Sequence, residues 1–190
     1  MHDFSQRDPL SGVSESLWQR WSPRAFDGSA IADEVVARLI DAARWAPSCR
    51  NEQPWRFHTS TPSTFNGFLS LLVEGNQGWA QSASLLGFIV CERHFQRNGD
   101  LNHHARFDAG AAWMALTLQA RAEGLYTHGL GGIKYDEVAQ YLSIDTQRYD
   151  VVMGFALGRA VDISSLSDEQ RSREIPNGRM PLAEIWQSHS

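Results

Sequence analysis

The 190-residue sequence has only two cysteines, no long hydrophobic run and no basic tract. Cys49 and Cys91 match neither a metal-binding spacing nor a disulfide framework, so a reduced, cytoplasmic setting is expected. The most continuous apolar stretch, residues 85–91, is far too short to span a bilayer, and no basic segment followed by an apolar one opens the chain as a signal peptide would. A formal net charge of −5 without any Lys/Arg-rich run argues against a nucleic-acid surface. Internal repeats and low-complexity tracts are absent as well. What is present is the composition of an ordinary globular protein, 42% apolar and 21% charged, long enough for one domain with its own core. Seven tryptophans are many for this length and are read as core and interface anchors.

The periodicity predicts helices interleaved with a few strands. After a Ser-, Asp- and Gly-rich arm over residues 1–13, expected to be mobile, a short helix ends at residues 17–20. Asp33 is read as an N-cap, followed by a buried stripe of Val35, Val36, Leu39, Ile40 and Ala43. Residues 55–59 are a strand candidate. Thr61-Pro62 is expected to open a helix that fades at Gly75-Asn76. Residues 85–91 read as a strand buried on both faces. Residues 105–123 form the longest helix, small or apolar nearly all round, with Gly124 in the C-cap position. Residues 125–128 read as a strand leading into a glycine turn. A short helix begins at Asp136-Glu137 with Val138, Tyr141 and Leu142 inward, and residues 151–157 form a last strand closed by Gly158. Residues 164–190 form a C-terminal extension, in which Leu182, Ile185 and Trp186 are free to dock on a neighbour. The sum is an α+β domain.

Residues 43–57 carry the most information. Pro47 ends the preceding helix and Pro54 pushes Gln53 into an extended conformation. Between them Ser48, Cys49, Arg50, Asn51, Glu52 and Gln53 form a dense row of donors and acceptors. The alternative is a polar surface loop whose Trp55 packs on the core. Upstream, Arg20, Ser22 and Arg24 alternate across Pro23, which in an extended segment puts two guanidinium groups and a hydroxyl on one face.

Pro47-Ser48-x-x-Asn51-x-Gln53-Pro54-Trp55, preceded by Arg20-Trp21-Ser22-Pro23-Arg24-Ala25-Phe26, resembles the flavin-binding signature of the nitroreductase family. The similarity runs from about Leu17 to Arg159, with a weaker echo near Arg179. It implies a nitroreductase-like fold, a central mostly antiparallel sheet flanked by helices, and a homodimer with FMN at the interface. NADH or NADPH would reduce the flavin, and a nitroaromatic, quinone or related conjugated acceptor would reoxidise it in a ping-pong cycle. The resemblance puts Arg20 and Ser22 near the phosphate and ribityl chain, Arg24 at the pyrimidine edge, and Arg179 as a second phosphate contact. Family members often carry a lysine two residues before that arginine, where this chain has Asn177. Pro47, Ser48, Cys49, Asn51 and Gln53 would reach the partner's flavin, and Asn76 resembles an asparagine that faces the ring. Leu130, Gly131 and Gly132 align with the segment whose backbone approaches flavin N5, which carries the hydride; no catalytic side chain is expected.

As bare sequence, Gly129-x-Gly131-Gly132 is a tight turn and no dinucleotide fingerprint, since Lys134 stands where a third glycine would be. Cys49 has no activating histidine beside it in sequence, against a nucleophilic role. His94, His103, His104 and Asp108 are the nearest approach to a metal cluster, but adjacent histidines on a helix point apart, so no metal is expected. Two further functions stay open: a specialised flavin enzyme for dehalogenation, ring cleavage or desaturation, and a non-catalytic FMN-binding module.

Overall fold

The computed structural model describes residues 3–162, 164 and 166–189. Its centre is a four-stranded sheet of β1 (Trp55–Thr59), β2 (Leu85–Glu92), β3 (Tyr126–Leu130) and β4 (Tyr149–Gly158), in the order β1-β2-β4-β3 and antiparallel at every pairing. Every residue of β2 is buried because both faces are covered. The two-residue period of a strand deals its side chains into separate cores. Leu86, Phe88 and Val90 join one core with Phe68, Leu72 and Val138, while Leu85, Ile89 and Cys91 join the other with Leu39, Ala109 and Leu116. Gly87 lies opposite Phe155 in the register, and a Cβ there would run into the Phe155 ring.

The first core is closed by α3 (Phe65–Ser70) and α6 (Tyr135–Tyr141), the second by α2 (Asp33–Arg44) and α5 (Ala105–Ala122). Alanines at 105, 109, 112 and 120 let α5 lie close to the sheet, and the Thr117 and Thr127 hydroxyls bond at 3.0 Å across that contact. The remaining helices are short: α1 (Glu15–Trp18), α4 (Glu74–Ala80), α7 (Asp168–Arg173) and α8 (Leu182–Ile185). Among the described residues no helix is long and apolar enough to cross a membrane, and both cysteines are free.

Several local expectations are corrected. Ala32, not Asp33, is the N-cap of α2, and Asp33 contributes its charge to the first turn instead. Thr61-Pro62 does not start α3: Thr64 Oγ1 accepts from the Thr61 N–H at 2.8 Å, making a turn that delays the helix to Phe65. The predicted fade at Gly75-Asn76 is the beginning of α4, whose glycines are offset by tertiary bonds from Asn76 and Gln77 to the Gly132 and Leu72 carbonyls. Strand β3 extends through Gly129 and Leu130, so the turn begins only at Gly131, and Leu130 is buried. Glu123 caps α5, with Gly124 at φ +73° one position beyond. Tyr141 is 47% exposed, its ring T-shaped to Phe68 and lying over Gly67 rather than in the core.

Candidate functional site

Residues 19–27 run beside the sheet rather than within it. Phe26 forms a bridge with Ala160, the Asp27 N–H donates to the Arg159 carbonyl at 3.0 Å, and His128 Nδ1 lies 2.9 Å from the Pro23 carbonyl. Trp21 and Pro23 are buried while Arg20 and Ser22 are half-buried and Arg24 is exposed, in line with their alternation as far as Arg24; Phe26 breaks the pattern by turning inward. They line a cavity of about 230 Å³ together with Arg7, His128, Arg173 and Arg179. Arg24, Arg173, Ile175 and Asn177 continue into a cleft of about 710 Å³ that also takes in Asn76 and Trp79. That volume falls in the range of roughly 300–1,000 Å³ usual for cofactor sites.

The electrostatics of the small cavity are one-sided. Among the described residues, the guanidinium groups of Arg7, Arg20, Arg24 and Arg179 make no ion pair, whereas that of Arg173 pairs with Glu169. Burial and then the neighbouring Arg179 charge push the Arg20 guanidinium below its ordinary range. Burial likewise lowers His128, and the bond to the Pro23 carbonyl only partly opposes it. Glu174, 6% exposed, accepts the Arg24 N–H through both carboxylate oxygens at 2.9 and 3.1 Å. Burial nevertheless raises its carboxyl above the usual range. Fixed guanidinium forks, the Ser22 hydroxyl and the absence of a facing acid make a donor set suited to a phosphate dianion.

The wall of the larger cleft is built from α4. Asn76 Nδ2 donates to the Gly132 carbonyl at 3.0 Å, its Oδ1 accepts from Trp79 Nε1 at 3.3 Å, and the Trp79 ring packs 4.5 Å from His128. A Cβ on Gly132 would lie 2.6 Å from Asn76 Nδ2 and 2.8 Å from Val73 Cγ2. Gly131 leaves its space open, and its carbonyl accepts from the Tyr135 hydroxyl at 3.4 Å.

Within one chain the loop of residues 47–54 does not join this cavity. The Cys49 N–H donates to the buried Asp108 of α5 at 3.0 Å, and Ser48 Oγ accepts the Gln53 N–H at 3.0 Å. Arg50, Asn51 and Gln53 all have positive φ, at 54°, 59° and 48°, so Gln53 is not extended as Pro54 predicts: the loop that closes its N–H onto Ser48 Oγ overrides the preference. Asn51 and Gln53 border a separate cleft of about 590 Å³ with Arg56, Gln96 and Arg97. The structure thus gathers Arg20, Ser22, Arg24, Asn76 and Arg179 around two clefts that share lining residues, with Gly132 packed against Asn76, and holds Pro47, Ser48, Cys49, Asn51 and Gln53 apart from them.

Sequence reasoning missed Arg7, Trp79, His128 and Glu174. Arg7 lies in an arm without periodicity and Glu174 in a polar tail, so only the fold brings them in. Trp79 had a signal in its spacing from Asn76, three residues along a helix.

The model of the family described as "Nitroreductase family" matches residues 17–65 and 68–159. The CLA biosynthesis enone reductase of Lactiplantibacillus plantarum is 26% identical, the match covering 78% of this chain and 85% of that protein. A Bacillus subtilis protein provisionally named NAD(P)H nitroreductase YdgI is also 26% identical, over 78% and 88%. Among solved structures, an oxidoreductase containing FMN superposes with a TM-score of 0.91 at 38% identity, covering 100% of this chain and 98% of its own.

Proposed function

Because the chain belongs to the nitroreductase family, we propose that it is an FMN-dependent NAD(P)H oxidoreductase working as a homodimer. The observation that carries this reading is the small cavity lined by Arg7, Arg20 and Arg179, whose guanidinium groups make no ion pair among the described residues, and sharing Arg24, Arg173, Ile175 and Asn177 with a cofactor-sized cleft. Likeness to an oxidoreductase containing FMN and to a protein named as an NAD(P)H nitroreductase supports the choice of cofactor and donor.

In this reading Arg20 and Arg179 hold the phosphate and Ser22 the neighbouring polar chain. Arg24, whose backbone Glu174 fixes, presents its charge toward the pyrimidine edge of the ring. Asn76 and the backbone at Gly131 and Gly132 form the wall against the ring, where the missing Cβ atoms permit close approach. Bound FMN would supply two-electron redox chemistry at N5, taking a hydride from NADH or NADPH and passing it to an acceptor. The residues 47–54 loop, sited away from the arginine cavity of its own chain, would complete the site of a partner subunit. Exposed Trp45 (76%) and Phe107 (79%) offer apolar surface for that association. The acceptor class is a nitroaromatic, quinone or conjugated carbonyl, the last favoured by the likeness to an enone reductase.

The test is to identify the flavin released on denaturation and to follow anaerobic NADH and NADPH oxidation with a panel of these acceptors. Release of FMN and turnover with at least one acceptor are expected. A protein that binds no FMN, or whose flavin neither nucleotide reduces, refutes the proposal.

A further inference from the structure

The amino-terminal arm enters the arginine cavity through Arg7. Its Nε donates to the Asn177 carbonyl at 3.0 Å, and its Nη1 donates to the carbonyls of Arg20, at 2.7 Å, and Trp18. These contacts tie the arm both to the segment that carries Arg20 and to the C-terminal segment that carries Arg179. The fit is close: a Cβ on Gly178 would lie 3.0 Å from the Gln6 carbonyl. Phe4 packs edge-on against Trp18, with ring centroids 6.0 Å apart, and anchors the arm from the other side.

Three carbonyls orient this guanidinium but neutralise none of its charge. Its Nη2 has no hydrogen-bond partner among the described residues, and Arg7 lines the same cavity as Arg20 and Arg179. Burial, then Arg179 and Arg20, hold Arg7 below its ordinary range, so the three cations feel one another. Asn177, facing them, brings no charge of its own. A cluster of like charges opposes closure of the arm unless an anion sits among them. We propose that Arg7 is a phosphate-binding residue delivered by the amino-terminal arm, and that it sets the preference of the site for phosphorylated over unphosphorylated flavin. This rests on the reading of the cavity as the FMN phosphate site.

The test compares FMN with riboflavin, which lacks the phosphate, by fluorescence titration of apoprotein. Wild type, Arg7→Ala and Arg7→Lys are measured, with thermal melts to verify folding. In Arg7→Ala the ratio of FMN to riboflavin affinity should fall at least five-fold, through loss of FMN binding, while Arg7→Lys keeps part of the preference. An unchanged ratio in Arg7→Ala, or an equal loss of both ligands, overturns the proposal while wild-type FMN binding leaves the phosphate site standing. Equal losses in the two variants overturn it too, since the carbonyl contacts and not the charge would then matter. Wild type that does not prefer FMN over riboflavin removes the phosphate-site reading and Arg7's role with it.

Discussion

Replacing Gly132 by alanine tests the wall of the cleft without touching a charged group. The added Cβ would meet Asn76 Nδ2 at 2.6 Å and Val73 Cγ2 at 2.8 Å. Asn76 can yield, because its amide is the end of a flexible side chain, but moving it gives up the 3.0 Å bond to the Gly132 carbonyl and loosens the 3.3 Å bond from Trp79. Val73 has less freedom: it is β-branched, and its N–H donates to the same Gly132 carbonyl at 3.1 Å. Overpacking of this kind costs about 1–3 kcal/mol, and a lost hydrogen bond about 0.5–1.5 kcal/mol. Reduced entropy of the unfolded chain returns about 0.4–1 kcal/mol. The net destabilisation is about 0.5–4 kcal/mol with a midpoint of about 2 kcal/mol, and at about 2–4 °C per kcal/mol for a chain of this size that midpoint lowers the melting temperature by roughly 4–8 °C. Circular dichroism of the apoprotein measures it. The double variant with Asn76→Ala should lose less than the sum of the two single changes, because the clash partner is already gone. A Gly132→Ala melt within about 1 °C of wild type, or strict additivity in the double variant, would refute the packing described for this wall.

Three further outcomes are expected. Arg20→Ala should weaken FMN binding roughly 10- to 150-fold, since charge-assisted contacts contribute about 1.5–3 kcal/mol; equilibrium dialysis showing unchanged affinity would remove Arg20 from the phosphate site. Arg24→Gln should make bound flavin harder to reduce, because a cation beside the ring edge favours the more negative reduced form. A loss of about 1–3 kcal/mol corresponds to roughly 20–65 mV for a two-electron couple, and a potentiometric titration that shows no shift would rule out the ring-edge position. Glu174 predicts a pH dependence. Its carboxyl is raised above the usual 4.5, so the folded chain holds that proton more tightly than the unfolded one. The associated stability is complete below about 4.5 and is lost as pH rises through the folded value. Between pH 4.5 and 7 wild type should therefore lose stability relative to Glu174→Gln, and a constant difference in urea midpoints over that range would contradict the assignment.

The elements whose identity is set by local pattern were legible in the sequence. Strand β1 begins and ends where Trp55 and Thr59 predict, and the apolar run of β2 reported its burial on both faces correctly. Misreadings fell where tertiary contacts override propensity. Two glycines made α4 look like the end of a helix, and only the Gly132 and Leu72 carbonyls, far off in sequence or preceding the segment, explain why it forms. In the site, the alternation of Arg20, Ser22 and Arg24 predicted a shared face, and they share one cavity. Arg7 and Glu174 could not be found that way, because neither belongs to a periodic segment and each reaches the cavity through backbone groups more than ten residues away. The separation of Asn51 and Gln53 from the arginines is likewise a property of the fold.

The loop between Pro47 and Pro54 carries a consequence for how this chain can change over time. Arg50, Asn51 and Gln53 occupy left-handed backbone, which favours glycine and penalises an ordinary side chain by about 1–2 kcal/mol, less for asparagine. Against a total stability of about 5–15 kcal/mol for a folded domain, that is a substantial handicap. Glycine at Gln53 would relax the backbone while discarding the side-chain amide, whose Nε2 donates to the Asn51 carbonyl at 2.9 Å. A search for heat-tolerant variants would therefore be drawn to this loop early, and the sturdier proteins it returned would be the ones most at risk of having lost their chemistry.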